Sequence, residues 1–497
     1  TNMEKSEAAI LESCEHAPSF QAHEDDPKTR RRLLRKIDLH VLLPLWILLF
    51  LSFLDRINLG NVAVLGIMDD LNLTGNAFNI ALQVFFIPFV LLEVPSNIVL
   101  RKVRPSLWLC SLCFLWGIAC LCQGFVKSNG SLITCRVLVG VFEAGFTPGS
   151  YYLMSMYYRR YELQRRVSIY WCAGVFSASF GGLLAYALAQ MDGIGGLAGW
   201  RWVMIMEGLL TVVVVPLVYL ALADWPEQAA FLTSSEKQHI HWRMAQDIPT
   251  TARMDRLDKQ AWLRILKDWK LWLCGIMYIG IGVCIYATAL FLPSILFSLG
   301  YSGIQANVRT IPIWLVAGVV TIIVGFASDW TMHRCGFMIL SAMLALIGLV
   351  ILFCQGNTPT PLAPNAGLAV GVRYMACFFI AAGTYAINPP LISWTSSSFA
   401  GHYKRAIGIA FSLAAGNSAG FISSNIFVRS EAPRYLVGYG VCIGAMTLQI
   451  LATIMFAFGL TWENRRRDRG ERDGRKLLPE REAHNLGDDE PSYRFTL

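Results

Sequence analysis

The sequence predicts an all-α membrane protein with twelve transmembrane helices in two related six-helix bundles. Three observations lead to this fold class: the composition, the spacing of the apolar runs and the placement of the basic residues. Of the 497 residues, 55% are hydrophobic and only 15% are charged, and the mean hydropathy is +0.47. A soluble protein carries about a quarter charged residues, so the composition favours a membrane protein. It also excludes disordered, collagen-like and disulfide-stapled secreted chains.

The apolar runs have the length of membrane spans. A bilayer core about 30 Å thick requires roughly 20 apolar residues in a helix. Twelve runs of this kind can be read along the chain. The first six lie near 41–62, 79–100, 107–124, 131–153, 166–189 and 202–223. The second six lie near 271–298, 308–329, 336–354, 367–394, 404–427 and 436–459.

The basic residues are distributed as a membrane topology signal. The net charge of +8 is spread over short clusters, whereas a nucleic-acid-binding protein would concentrate it in one patch. Clusters such as Arg101-Lys102-Arg104 and Lys404-Arg405 follow even-numbered spans. The positive-inside rule therefore predicts that both termini are cytoplasmic, and we expect a multi-pass protein of the plasma membrane. Since no apolar segment precedes residue 41, we expect no cleavable signal peptide.

The two halves of the chain are related to each other. Segment 224–270 carries eight Lys or Arg and seven Asp or Glu, which predicts a solvated cytoplasmic linker. The predicted organisation is an N-terminal tail (1–40), a first bundle (41–223), the linker (224–270), a second bundle (271–459) and a C-terminal tail (460–497). The motif Glu93-Val-Pro-Ser-Asn97 has a counterpart in Gly325-Phe-Ala-Ser-Asp329. Two related six-helix halves are typical of the major facilitator fold, whose substrate site lies near the midplane between them.

Ionisable residues inside the apolar spans are the main candidates for function, because a charge at bilayer depth costs at least ~2.5–3.5 kcal/mol. Span one contains Asp55, Arg56 and Asn58, and span four contains Arg136 and Glu143. The seven-residue spacing in span four is close to two turns and places both charges on one helix face. By depth, the two arginines lie at nearly the same level, where two guanidinium groups can hold a carboxylate. Burial disfavours the charged form of Glu143, which suits a proton carrier.

The alternative for these charges is purely structural. In that interpretation Asp55 with Arg56, and Arg136 with Glu143, are permanent ion pairs that hold the bundle together. Outside this group, Glu207 is expected to be interfacial, because it follows Arg201 and Trp202 closely.

Several other residues complete the predicted site. Glu93, which precedes Pro95, is expected to act in gating or packing, and Asp329 is its gating counterpart or a snorkelling residue at a span end. Tyr286, Asn388 and Asn417 can line a cavity from the second half, although aromatic residues in membrane helices more often serve packing.

Other functional classes leave no trace in the sequence. The phosphate-binding pattern G-x-x-x-x-G-K-[ST] does not occur, so we expect no nucleotide-driven engine. We find no metal triad and no nucleophile–base set, and therefore expect no metal, no cofactor and no enzymatic activity. Asn72-Leu-Thr74 is a glycosylation sequon in a predicted outer loop.

From about residue 38 to 460 the chain resembles the anion:cation symporter branch of the major facilitator superfamily, especially fungal permeases of the allantoate and nicotinate type. The resemblance rests on the following motifs: Asp55-Arg56-Ile-Asn58, Glu93-Val-Pro-Ser-Asn97, Arg136-x-x-x-Gly140-x-x-Glu143-Ala-Gly145-x-x-Pro148-Gly149, Gly199-Trp200-Arg201-Trp202, Gly401-His-Tyr-Lys404-Arg405, Gly416-Asn417 and Ala432-Pro433-Arg434-Tyr435.

The resemblance implies a role for each charged residue of the site. Arg56 would bind the substrate carboxylate, Asp55 and Glu143 would carry protons, and Arg136 would interact with Glu143. The expected function is proton-coupled uptake of a small organic anion, such as nicotinate or allantoate, by a monomer in the lipid bilayer.

Two departures from the branch bear on substrate and direction. Fungal members often have paired asparagines after the Ser-Trp of span ten, where this chain has Thr395 and Ser396, so the substrate is left open. Span five lacks the Gly-Pro-x-x-Gly-Gly signature of proton-driven exporters, which favours uptake. The alternatives are an exporter of an acidic secondary metabolite and a non-transporting sensor.

Overall fold

A computed structural model describes residues 27–73, 75–100, 102–246, 259–331, 333–356, 367–400, 402–474, 487–491 and 493–495. Regular structure within these ranges is entirely helical. The first half contains α1 (Pro27–Ile37), α2 (Leu43–Ala63), α3 (Ile67–Asp70), α4 (Ala77–Leu100), α5 (Pro105–Gln123), α6 (Asn129–Glu143), α7 (Phe146–Tyr157), α8 (Arg160–Ala189) and α9 (Gly199–Ala221). A π-helical turn, Asp38–Leu42, joins α1 to α2.

The described residues after α9 contain nine more α-helices. Two of them lie between the halves: α10 (Ser234–Gln246) and α11 (Lys259–Lys267). The second half contains α12 (Trp269–Ser298), α13 (Gly303–Thr331), α14 (Arg334–Phe353), α15 (Val370–Ala386), α16 (Asn388–Ser398), α17 (His402–Ile426) and α18 (Leu436–Asp468).

Helices occupy all twelve predicted spans, and most ends differ from the prediction by a few residues. Eleven helical segments of the described chain are long and apolar enough to cross a membrane, and Ala77–Glu93 of α4 is a shorter apolar stretch. The whole of α4 has 24 residues, which is sufficient for a span. The largest difference is at α18, which continues to Asp468. The predicted all-α membrane fold is confirmed.

The same helix pairings occur in both halves. α2 packs against α8 and α9, and α12 packs in the same way against α17 and α18. α4 pairs with α6 as α13 pairs with α15, and α5 pairs with α9 as α14 pairs with α18. Two pairings that join the halves, α8 with α13 and α4 with α17, also correspond to each other, and α2 packs against α12. The molecule is therefore a pseudo-two-fold arrangement of two bundles.

Span four is broken immediately after Glu143. α6 ends there and α7 begins at Phe146, because Pro148 has no N–H and its ring would clash with the carbonyl group of residue 144. Gly145 lies in the break, where an added Cβ would overlap the Ser96 hydroxyl of α4. Span ten, the equivalent span of the second half, breaks in the same way between α15 and α16, ahead of two consecutive prolines.

We call the side of the membrane region that carries α1 and the end of α18 the terminal side. On the opposite side the two halves are in direct contact. Asn79 Nδ2 donates a hydrogen bond to the Ser424 carbonyl at 2.6 Å, and Asn307 Nδ2 donates one to the Asn61 carbonyl at 3.4 Å. At Gly303 an added Cβ would overlap the carbonyl oxygen at the end of span one. The ends of spans one, two, eight and eleven are therefore closed against each other.

The helices outside the membrane are attached to the first half by ion pairs. Glu162 of α8 lies 2.6 Å from Arg30 of α1 and 2.6 Å from Arg243 of α10. Burial opposes ionisation of Glu162, but the guanidinium groups of Arg243 and Arg30 outweigh it and hold its pKa below the ordinary value. This carboxylate therefore anchors both helices on the terminal side.

The C-terminal segment 487–495 docks on the terminal side of the second half. Lys404 Nζ lies 2.7 Å from a carboxylate oxygen of Asp268 and 2.7 Å from one of Asp488, and Lys270 forms ion pairs with the same two carboxylates. We call these four residues the tail cluster. Burial opposes ionisation of Asp268, yet Lys270 and Lys404 hold its pKa below the ordinary value. The Tyr493 hydroxyl further fixes the segment by donating to the carbonyl oxygen of residue 397 at 2.6 Å.

Candidate functional site

A buried ion pair joins spans one and four at the centre of the first half. Arg56 Nη2 lies 2.6 Å from Glu143 Oε1, and Arg56 Nε donates to the same oxygen at 3.1 Å. The hydroxyl of Ser52, one turn before Arg56, also donates to Glu143. Arg56 and Glu143 are 5% and 1% exposed. In surroundings of low dielectric the attraction between the two charges is strong, and it offsets part of the cost of burying them.

Aromatic rings surround the Arg56 guanidinium group. Its central carbon lies 5.2 Å from the ring centre of Phe53, 5.4 Å from that of Phe85 and 4.9 Å from that of Phe89. These distances are within the range of cation–π attraction. The rings exclude water and stabilise the positive charge, so Arg56 can stay ionised even when its carboxylate partner is neutral.

A chain of hydrogen bonds continues from Arg56 into the second half. Arg56 Nη1 donates to the Tyr286 hydroxyl at 3.3 Å, and this hydroxyl donates to Asn417 Oδ1 at 2.8 Å. Asn417 Nδ2 then donates to Glu93 Oε2 on span two at 3.2 Å. We call Glu143, Arg56, Tyr286, Asn417 and Glu93 the central network. The network starts in the first half, includes one residue each of spans seven and eleven in the second half, and returns to the first half. Separation of the two halves at this level would therefore break its hydrogen bonds.

Asp55 points away from Arg56 and into the first bundle. One oxygen accepts hydrogen bonds from Trp116 Nε1 at 3.1 Å and from the Thr211 hydroxyl at 2.9 Å, while the other oxygen is buried without a partner. Within the described chain Asp55 and Arg56 do not form the ion pair of the structural alternative. Successive residues on a helix point about 100° apart, which separates the two side chains.

Arg136 is close to the network but forms no ion pair within the described residues. It is 1% exposed, its Nε has no hydrogen-bond partner, and its guanidinium carbon lies 5.1 Å from the ring centre of Phe85. The expected contact between Arg136 and Glu143 is replaced by the contact between Arg56 and Glu143. Seven residues of helix separate the first two by about 10 Å along the axis. Arg56, on a neighbouring helix, reaches the level of Glu143 directly.

The remaining predicted site residues lie apart from the central network. Asn58 is fully buried beside Glu207, and its side chain interacts with the Glu207 carboxylate. Asn388 is buried at the break of span ten, with an unpartnered Oδ1. Asp329 belongs to α13, but its side chain lies outside the described residues. Asn72 is exposed in a turn with a positive φ of 49°, and residue 74 of its sequon is not among the described residues.

Two residues near the site were missed or misplaced by the sequence analysis. Glu207 is 1% exposed and lies against Asn58 and Asp55 inside the first bundle, so the interfacial prediction for it was wrong. Its position eight residues into α9, about 12 Å from the start of the helix, would have indicated this depth. Tyr385 lies within electrostatic reach of Arg56, and its buried hydroxyl has no partner.

The geometry permits an exchange of partners at Arg56. A carboxylate in an ion pair can be displaced by another carboxylate once a proton neutralises the first. Arg136 and Tyr385, which lie close to Arg56, each keep a polar atom without a hydrogen-bond partner, and so does Asp55 inside the first bundle. The arrangement can therefore exchange one carboxylate for another at Arg56.

Comparison with known proteins gives consistent results. Residues 45–424 match the Major Facilitator Superfamily. The chain is 33% identical to the MFS-type transporter cnsO of Penicillium expansum over 482 residues, which is 94% of this chain and 91% of the relative. It is 32% identical to the MFS-type transporter efuF of Hormonema carpetanum (90% and 88% covered). It is 31% identical to the major facilitator-type transporter hxnP of Emericella nidulans (95% and 94% covered).

Solved structures agree in fold. A bacterial homologue of the human lysosomal transporter Spinster, inward-facing and occupied, has a TM-score of 0.58 at 18% identity, with 84% of this chain and 96% of that chain covered. The inward-facing and unoccupied form of that homologue has a TM-score of 0.60 at 16% identity, with 84% and 95% covered.

Proposed function

The chain belongs to the Major Facilitator Superfamily, and from this premise we propose that it is a proton-coupled symporter that imports a small organic carboxylate. Membership places it among membrane transporters, a class distinct from enzymes. Within the superfamily we assign it to the anion:cation symporter branch. The observation that carries the proposal is the buried pair of Arg56 and Glu143, at 2.6 Å, with a hydrogen-bonded connection to the other half.

Protonation of Glu143 starts the proposed cycle. A proton that enters from outside neutralises the carboxylate and weakens its hold on Arg56. The guanidinium group then binds the carboxylate of the substrate through two parallel hydrogen bonds, an arrangement that arginine favours. The net charge of the centre is the same before and after the proton and the substrate bind. The loaded carrier can therefore change between its outward-facing and inward-facing forms without burying an additional charge.

The second half responds to substrate through Tyr286 and Asn417. A carboxylate on Arg56 competes for the guanidinium hydrogens that now face Tyr286, and this loosens the chain that ends at Glu93. Loss of that connection frees the halves to rock about the site. On the cytoplasmic side Glu143 releases its proton, recaptures Arg56 and expels the substrate. Asp55, whose second oxygen is unpartnered, is the proposed carrier of a further proton.

The lining of the site favours a planar substrate. Phe53, Phe85 and Phe89 surround Arg56, and Phe86 packs edge-on against Tyr286 with ring centres 4.9 Å apart. Aromatic rings attract flat, conjugated groups by stacking and edge contacts. Nicotinate has this shape and is our first candidate, followed by allantoate and related carboxylates.

The proposed cycle requires a defined orientation. We propose that the carrier works as a monomer in the plasma membrane, with its terminal side in the cytoplasm. Glycosylation of the exposed Asn72 on the opposite side would be a direct marker of this orientation.

Uptake measurements test the proposal. The full chain is expressed in a yeast that lacks its own carboxylate permeases, and uptake of labelled nicotinate, allantoate and related carboxylates is measured at acidic and neutral external pH. Acid-stimulated uptake that collapses with a proton ionophore is expected. Lys102→Gln serves as the control for expression, because this side chain is exposed and outside the site. Uptake indifferent to the ionophore would overturn proton coupling. No uptake despite surface expression would support export of an acidic metabolite instead.

A further inference from the structure

A pocket on the terminal side lies far from the central network. It opens between α11, the first turn of α12, the last turns of α18 and the C-terminal segment, and its volume is about 490 Å³. Phe495 of that segment forms one wall and Trp269 of α12 another. We call it the interfacial pocket, because it lies where the spans leave the membrane.

The interfacial pocket has an excess of positive charge. Five of its lining side chains are cationic and three are carboxylates. The three carboxylates are already engaged: Glu463 lies 2.8 Å from Arg472 and 3.3 Å from Arg467, Asp268 belongs to the tail cluster, and Asp489 lies 3.9 Å from Lys404. Arg264 and Lys267 form no ion pair within the described chain. These two cations therefore face the pocket without a counter-charge.

Leu263 lines this pocket, and further exposed apolar side chains lie on the same helix and at the adjoining span ends. Leu263 and Leu266 of α11 are 47% and 45% exposed, and Trp272 and Trp462 at the adjoining span ends are 53% and 52% exposed. A short helix with basic residues and exposed leucines on different faces is typical of a helix lying in the membrane interface. Tryptophan is likewise enriched at the level of the lipid headgroups.

α11 is held firmly in this orientation. Trp272 Nε1 donates to the Leu266 carbonyl at 2.9 Å, and Asp268, between the two helices, accepts a hydrogen bond from the backbone N–H of Lys270 at 3.0 Å. Trp269 packs on Gly459 of α18, where any added Cβ would overlap its ring. The basic residues of α11 and α18 are therefore presented together at a fixed spacing.

We propose that the interfacial pocket binds the headgroup of an anionic phospholipid from the leaflet on the terminal side. The phosphate and its neighbouring negative group bind Arg264 and Lys267, and the acyl chains extend along Leu263, Leu266 and Trp272. The exposed apolar side chains favour a lipid over a soluble phosphate compound, because a soluble compound would leave them in contact with water. This site is independent of the transported substrate.

Lipid binding to the purified full chain tests the proposal. Native mass spectrometry in detergent counts bound lipid, and a thermal melt measures stabilisation, with dioleoylphosphatidylserine, dioleoylphosphatidylcholine and inorganic phosphate as separate probes. Phosphatidylserine is expected to bind and to raise Tm, and the other two are not. Each basic residue near an anionic surface contributes about 5-fold in affinity, so Arg264→Gln with Lys267→Gln is expected to weaken phosphatidylserine binding by about 30-fold.

The matched control is Lys102→Gln with Arg104→Gln. These residues are exposed basic side chains at the terminal side of the first half, away from the interfacial pocket. The control is expected to retain wild-type lipid binding. Equal loss in both double variants would reduce the effect to general charge attraction and overturn the site. Unchanged binding in Arg264→Gln with Lys267→Gln, or equal stabilisation by inorganic phosphate alone, would overturn it as well.

Discussion

The central network and the tail cluster are both buried groups of charges, but they differ in how fully their charges are paired. In the tail cluster each of two carboxylates contacts both lysines. Around the central network, Glu93 keeps one oxygen without a partner, and the neighbouring Asp55 and Arg136 each keep an unpartnered polar atom. The tail cluster also lies within one half, whereas the central network crosses between halves.

This difference separates structural from functional charge. A cluster in which each carboxylate forms ion pairs with two lysines resists change, because every displaced charge would be left buried and unpaired. An incompletely paired group has a second arrangement within reach, in which a proton or an external carboxylate supplies the missing partner. We therefore expect substitutions in the central network to affect transport more than stability, and substitutions in the tail cluster to do the reverse.

The largest expected effect is loss of transport on substitution of Arg56 or Glu143. Arg56→Ala removes the group that binds the substrate carboxylate, and Glu143→Gln keeps residue 143 permanently uncharged, so that it can no longer release a proton. In both variants uptake is expected to fall to the level of cells without the transporter. Glu143→Gln imitates the protonated state that the cycle visits, so its Tm should stay close to that of the wild type. Surface expression measured by cell-surface labelling is the control. Wild-type uptake by Glu143→Gln would contradict the role of this carboxylate.

The next effect is on stability, in the tail cluster. Lys404→Met leaves two buried carboxylates short of a cation, and removal of one partner from a buried pair costs about 3–5 kcal/mol. A lower Tm of the purified protein is expected, with the substrate affinity of the folded fraction unchanged. Adding Asp488→Asn to Lys404→Met should recover part of the loss. A Tm shift smaller than that of Glu143→Gln would reverse the comparison between the two regions.

A smaller effect is expected where the network crosses between the halves. Tyr286→Phe removes a hydroxyl that accepts from Arg56 and donates to Asn417, and two such bonds are worth about 1–1.5 kcal/mol. Because the substrate has to displace them from Arg56, KM for uptake is expected to fall by up to roughly 10-fold. Tyr385→Phe is the matched variant, because its hydroxyl is buried without a partner. It should change KM much less. Equal changes in both variants would mean that ring packing, and not the hydrogen bonds, matters at Tyr286.

The fold was accessible from sequence because a membrane span is a local property. About 20 apolar residues suffice to recognise one, and the cost of burying charge singled out Arg56 and Glu143. The partner of Glu143 was not accessible, since it depends on the relative depth of two helices. Arg136 lies on the same helix face, yet two turns away, while Arg56 arrives from the neighbouring helix.

Docking of the C-terminal segment also escaped the sequence analysis. Asp488 lies in a polar, charged stretch, and nothing in its neighbours indicates that its side chain is fully buried between Lys270 and Lys404. The contact with Lys270 joins residues 218 positions apart, so it has no periodic signal. Hydropathy identifies the segments that span the membrane, but it does not indicate which residues pack against the ends of these helices.

The smallest expected effect is the pH dependence of helix docking at Glu162. Its pKa is held below the ordinary value of 4.5, so its contribution to stability is present above that pH and is lost as the pH falls through the lowered pKa. Arg30 is largely exposed, and screening by solvent limits the effect to about 1 kcal/mol or less. The protection of α1 and α10 against hydrogen exchange, taken relative to the intrinsic exchange rate at each pH, should therefore fall below pH 4.5 in the wild type. Glu162→Gln should exchange faster at neutral pH and lose this acid-dependent step, whereas an unchanged step in that variant would assign it to another carboxylate.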